Sequence, residues 1–287
     1  MPTSPSSVRE RRLLTSAGPL HVRELGPAGG PPLVFLHGVL ANARLWDAVA
    51  LRLSSRHRCI LLDLPLGAHA EAMDPGADLS PRGVVALVVE ALDVLGLSEV
   101  TLVGNDSGGA LCQMLIARHP DRCRAVVLTS CDAYDVWLPL LFKPFELAAF
   151  VPGALFIVAQ LLRFRFVRNL PFALGWLALR MPDDVGASFA APLARHAWAR
   201  RDVGKFLRGI SPRLTEEAAR SFPAFDRPVL LTWSERDRFF PMRLAERLLA
   251  DLPRARLELL RDSYTFSPLD EPAAVATQIG SFMEELA

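Results

Sequence analysis

Residues 103–110 read Val-Gly-Asn-Asp-Ser-Gly-Gly-Ala, and they constrain the fold more than any other stretch. An apolar run of strand character leads into them, and a helical pattern leaves them. Gly104, Gly108 and Gly109 carry no side chain where the chain must turn sharply and let another backbone pass close. Asp106 stands at the apex of the predicted turn, at a helix N-terminus with backbone N–H groups around it.

The rest of the chain supplies a sheet for that turn. Residues 33–36, 59–62, 100–103, 125–129, 228–233 and 256–260 are short apolar runs, as expected of strands buried on both faces. Helical patterns alternate with them at 43–53, 80–95, 108–118, 242–252 and 270–286. Ser80-Pro81 opens one of these with a capping hydroxyl before a first-turn proline. Such alternation predicts a mostly parallel sheet with helices on both faces. Residues 13–16 and 20–25 read as a hairpin around Gly18-Pro19, and residues 1–12 as a mobile tail.

The rhythm breaks after residue 132. Residues 145–179 are apolar but interrupted by Pro152, Pro171, Arg163, Arg165 and Arg168, too broken to span a bilayer. They read as part of a helical lid. The expected organisation is a tail at 1–12, a core domain at 13–132 and 225–287, and a lid at 133–224.

A net charge of +1 gives no reason to expect a nucleic-acid partner. Cys59, Cys112, Cys123 and Cys131 lack metal-like spacing and read as buried free thiols in a reducing compartment. The polar start lacks the apolar core of a signal peptide, so a cytoplasmic location and no membrane partner are expected. No cofactor is expected: there is no metal-ligand spacing, and residues 104–109 are too short for a dinucleotide fingerprint. The Phe, Leu, Trp and Ala of the lid favour a small, mostly apolar organic molecule as partner. A homodimer through the lid is left open.

Four motifs in order resemble those of the α/β-hydrolase superfamily: Phe35-Leu36-His37-Gly38, Asp63-Leu64-Pro65-Leu66-Gly67, the Gly104–Gly109 elbow, and Trp233-Ser234-Glu235-Arg236-Asp237 followed by Pro241. The resemblance implies an α/β fold of that type, with a mostly parallel central sheet and an inserted helical lid. Aspartate at the elbow is similar to the haloalkane dehalogenase and epoxide hydrolase branches, where the carboxylate attacks carbon. It implies Asp106 as nucleophile and the N–H groups of Val39 and Ser107 as an oxyanion hole. His37 and Asn42 are expected beside that loop, and Trp137, Trp176 or Trp198 as replacement donors from the lid.

Departures narrow the chemistry. Val39 and Ser107 stand where those dehalogenases carry halide ligands, and the two tyrosines, Tyr134 and Tyr264, cannot both come from the lid. In the run Tyr264-Thr265-Phe266-Ser267-Pro268-Leu269-Asp270-Glu271-Pro272, Thr265 falls where the resemblance expects the catalytic histidine, and no histidine follows His196. Threonine cannot take a proton from water near neutral pH as imidazole does. Asp237 and Asp132 occupy the two acid positions. Three readings stay open: a hydrolase with Asp106 as nucleophile; a non-hydrolytic isomerase, lyase or cyclase with Asp106 as base; and a non-catalytic module that binds an apolar ligand.

Overall fold

The computed structural model describes residues 8–171 and 173–286. Its strands are β1 (Arg9–Thr15), β2 (Gly18–Leu25), β3 (Pro32–Leu36), β4 (Arg58–Leu62), β5 (Val100–Asp106), β6 (Cys123–Cys131), β7 (Val229–Ser234) and β8 (Ala255–Leu260). They form one sheet in the order β1-β2-β4-β3-β5-β6-β7-β8. β2 runs antiparallel to β1 and β4; the remaining pairs are parallel. Every residue of β5 is buried, which explains why that strand reads as an unbroken apolar run rather than an alternating one.

The first strand begins at Arg9, inside the stretch expected to be a tail; residues 1–7 lie outside the described residues. An apolar criterion starts it too late because this edge strand carries charge. Arg11 bonds Glu24 at 2.8 Å and Arg12 bonds Glu71 at 2.7 Å, an arrangement that guards a free edge. The helix expected over 43–53 divides into a 3-10 turn, Ala43–Trp46, and α1 (Asp47–Leu53). α2 (Pro81–Val94) and α3 (Ser107–Arg118) follow.

Between β6 and β7 the chain forms α4 (Lys143–Ala148), α5 (Ala154–Leu161), α6 (Arg165–Arg168), α7 (Asp183–Arg195), α8 (Ala197–Gly209) and α9 (Pro212–Ala219). These make a helical lid inserted into the sheet domain. Among the described residues no helix is long and apolar enough to cross a membrane. α10 (Met242–Asp251), α11 (Ser267–Asp270) and α12 (Pro272–Glu285) complete the fold, with α12 packed on α1 and α3 on α2.

The lid is fastened unevenly. In α7, Ser188 Oγ accepts a hydrogen bond from Asn42 Nδ2 at 3.3 Å, and the Asp184 carbonyl accepts one from Arg44 at 3.2 Å. In α8, the buried Asp202 meets the buried His69 at 3.3 Å and the Met73 amide at 3.1 Å. Among the described residues, the hydrogen bonds and ion pairs of residues 140–168 all stay within the lid.

The elbow depends on missing side chains. A Cβ on Gly108 would overlap the Leu36 carbonyl, and one on Gly109 would overlap Cys131. Gly108→Ala should therefore lower the unfolding free energy by about 2–3 kcal/mol, read as an earlier urea midpoint at unchanged slope. Gly29→Ala, whose Cβ meets nothing within 4 Å, should leave the midpoint in place.

Candidate active site

The site is built at the end of β5. Asp106 adopts φ 54° and ψ −131°, a region side chains rarely occupy, at a cost of about 1–3 kcal/mol. Neighbouring groups hold it there. Asn105 Nδ2 donates to the Thr265 carbonyl at 2.7 Å and to Thr129 Oγ1 at 2.9 Å, which pins the strand end. The β5–β6 register then slips between Asn105 and Asp106, releasing the carboxyl from the sheet. Gly38 faces it so closely that any Cβ would overlap the Asp106 carboxyl.

Asp106 opens into a pocket lined by Val39, Leu40, Leu138, Phe142, Leu174 and Phe240. Leu40 and Leu138 also have positive φ, 61° and 59°, so strained backbone collects around this pocket. Leu40, Phe142, Phe145 and Leu174 also line an adjoining cavity of about 290 Å³, completed by apolar lid residues including Val158, Leu161 and Val167.

Two carboxyls meet beneath this pocket. Asp132, fully buried, is linked to Asp106 through the Ser107 hydroxyl. Its Oδ1 accepts from the Leu138 amide at 2.8 Å and its Oδ2 from the Ser107 hydroxyl at 2.9 Å. The same hydroxyl lies 3.4 Å from Asp106 Oδ1. Burial, then the charge of Asp132, pushes the Asp106 carboxyl well above the ordinary carboxylate range, against the opposing Ser107 amide. Burial pushes Asp132 up to about 7, with the Ser107 and Leu138 donors opposing. The two carboxyls titrate as a pair: burial and their mutual repulsion oppose ionising both, so the pair retains a proton where an ordinary carboxylate would have lost it.

Thr265 occupies the expected histidine position and reaches the expected acid. Its hydroxyl donates to Asp237 Oδ1 at 3.0 Å, and that oxygen also accepts the Phe239 and Phe240 amides at 2.8 and 2.9 Å. Burial raises the Asp237 carboxyl, opposed by those donors. Asp237 thus holds the Phe239–Phe240 wall of the pocket, whereas Asp132 is linked to Asp106 through the Ser107 hydroxyl.

The structure brings Asp106, Asp132, Ser107 and Val39 together, with Asp237 and Thr265 alongside. It does not bring the other expected residues to the pocket. His37 is fully buried, and its Nε2 accepts from the Leu64 amide while Nδ1 bonds the Gly38 carbonyl, both at 2.9 Å. Burial lowers its pKa to about 4, so it is a neutral brace of the loop and not a substrate ligand. Asn42 caps the 3-10 turn through Arg44 N at 3.1 Å and ties to Ser188. Trp137 is buried edge-on to Phe206 and does not line the pocket. Trp176 lies under Arg238, and Trp198 meets His69 edge-on and stacks on His196. Tyr134 donates to Asp251 at 2.9 Å, and the Tyr264 hydroxyl accepts from Arg238 at 2.8 Å.

Sequence reading missed Leu138, Phe142, Phe145, Leu174 and Leu177, because the lid has no motif and its packing is set by tertiary contact. It also missed Ser107 as the bridge between two carboxyls. The spacing from an elbow acid to an acid after the next strand is the signal that could have shown it.

Fold and site together define an α/β-hydrolase architecture with a carboxylate at the elbow. A family model for the alpha/beta hydrolase fold matches residues 31–272, and the chain belongs to that family. It is an α/β-hydrolase-type enzyme whose expected histidine position holds threonine. A cis-3-alkyl-4-alkyloxetan-2-one decarboxylase of Xanthomonas campestris is 27% identical over 280 residues, covering 90% of each chain. The decarboxylase of the same name from Shewanella oneidensis is 25% identical over 268 residues, covering 89% of this chain and 83% of that one. The crystal structure of haloalkane dehalogenase DbeA from Bradyrhizobium elkani superposes with a TM-score of 0.79 at 19% identity, covering 98% of each chain.

Unfolded carboxyls lose their protons near pH 4, whereas Asp63 and Asp132 keep theirs to about 7. Between those values the folded protein holds the extra protons. These two groups therefore contribute stability that is lost as pH rises from about 4 to about 7; Asp106 extends that loss above 7, and the buried His37, lowered from 6.5 to about 4, opposes it between those two values. Asp132→Asn removes one such group and should melt at a higher temperature than the parent at pH 8. In thermal scans this advantage should shrink toward pH 5.

Proposed function

We propose that the protein acts on a small, mostly apolar organic molecule bearing an aliphatic chain, with Asp106 as its reacting group and proton transfer as its chemistry. The observation that carries this reading is the buried pair of Asp106 and Asp132, bridged by the Ser107 hydroxyl at the floor of an apolar pocket, where burial and mutual repulsion keep a proton on the pair. Asp106, the member of the pair that faces the pocket, gives a proton to negative charge developing on the substrate and takes one back in the return step, with Asp132 sharing the remaining charge through Ser107. The adjoining cavity of about 290 Å³ suits the aliphatic chain. Bond breaking without water also suits a site where, among the described residues, no imidazole hydrogen-bonds Asp106 and the neighbouring His37 ring is consumed by backbone groups. Two relatives are named decarboxylases of alkyl-substituted oxetanones, which supports a lyase.

A second reading is favoured by one observation. The Val39 N–H has no backbone partner among the described residues, and the Ser107 N–H bonds the Asp106 carboxyl. Both support an oxyanion hole for an ester formed when ionised Asp106 attacks carbon. Release of that ester needs a base for water, which Thr265 does not supply.

A test uses alkyl-substituted oxetan-2-ones, esters and epoxides as probes, followed by mass spectrometry. Proton transfer predicts turnover of an oxetan-2-one without oxygen uptake from labelled water. Asp106→Asn should then lose about 100- to 10,000-fold in kcat, and Asp132→Asn should shift the pH profile. Accumulating mass on the peptide that contains Asp106 would instead establish covalent attack, and full turnover by Asp106→Asn would overturn both roles.

A further inference from the structure

The lid carries an unusual outer surface. Leu140 is 86% exposed, Leu147 62%, Ile157 61% and Phe166 71%, and Phe150, Val151, Phe156 and Phe164 are also exposed. They lie on or beside α4, α5 and α6, the part of the lid not bonded to the sheet domain. Soluble proteins rarely leave so many large apolar side chains together unless the patch meets a partner.

Charge indicates the partner. Residues 140–180 contain Lys143, Arg163, Arg165, Arg168 and Arg180 against one acid, Glu146, which is paired with Lys143 at 2.6 Å. Arg200 of α8 lies over the Phe156 ring at 5.1 Å, joining the basic rim to the apolar face. The nearby acids are already engaged: Asp183 pairs with Arg165 at 2.9 Å, and Asp184 with Arg44. Two copies meeting through this face would bring their arginine rims together, which like-charge repulsion opposes. Leu141 and Leu161, at the edge of the face, also line the 290 Å³ cavity. Patch and cavity are thus continuous.

We propose that this face docks peripherally on an anionic lipid bilayer, with the apolar side chains in the interfacial layer and Arg163 and Arg200 against the headgroups. Interfacial attachment of this kind combines buried apolar area with attraction to anionic lipid. It departs from the expectation of no membrane partner. An apolar substrate dissolved in the lipid would then reach the cavity through the same face, without crossing water.

Co-sedimentation of the full chain with vesicles tests the proposal. Binding is expected to phosphatidylcholine vesicles containing phosphatidylglycerol, weaker binding to phosphatidylcholine alone, and release by salt. The double variant Phe156→Ser, Ile157→Ser should bind at least about tenfold more weakly. Arg163→Gln should cost about fivefold. Leu14→Ser, a change at an exposed apolar residue on β1, should bind as the parent does, and so should Asp106→Asn, which separates docking from chemistry. Absence of vesicle binding, or equal loss in Leu14→Ser, overturns the proposal. So does a dimer that the Phe156–Ile157 variant converts to monomer while vesicles stay unbound, which would assign the face to a second copy.

Discussion

Two buried carboxyls that resist losing both their protons set the character of this molecule. Ionising both would place two negative charges in contact, away from water, at a cost of several kcal/mol. The surroundings resolve the conflict by unequal treatment. Asp132 receives the Leu138 amide and the Ser107 hydroxyl. Asp106 receives the Ser107 amide, the same hydroxyl at a longer 3.4 Å, apolar walls and the neighbouring charge. The strained φ of Asp106 places its carboxyl at this junction, and the glycines around it make room.

That strain is sustained by elements remote in sequence. Asn105 reaches β6 and the loop before α11, Gly38 clears space from the β3 loop, and Gly108 and Gly109 let α3 press against β3 and β6. The site is therefore not a local motif with a fold around it. It is a point where three strands and the closing loop agree, and a change in any of them reaches the carboxyl.

The sheet was legible because buried parallel strands leave continuous apolar runs, and the elbow because its glycines have fixed spacing. The absence of a histidine from the last loop was legible from residue identity alone, and Thr265 does meet Asp237 where that loop folds back. Other parts were not legible for physical reasons. The charged edge strand β1 hides its register behind arginines. His37 and Asn42 stand near the site in sequence, yet backbone groups and a helix cap consume their hydrogen bonds. The lid residues facing Asp106 follow no period, since several short helices meeting at different angles choose them.

The uneven fastening of the lid has a consequence for where the fold loosens first. α7 and α8 are bolted through Asn42–Ser188 and His69–Asp202, whereas residues 140–168, among the described residues, make no hydrogen bond or ion pair to the sheet domain. Segments with few cross-links open at free energies far below global unfolding. Backbone amides of α4 and α5 should thus exchange their hydrogens through a partial opening that leaves α8 closed. The rear of the lid acts as a fixed frame and the front as the yielding panel, so the pocket above Asp106 can change its volume while the carboxyl pair beneath it stays in register.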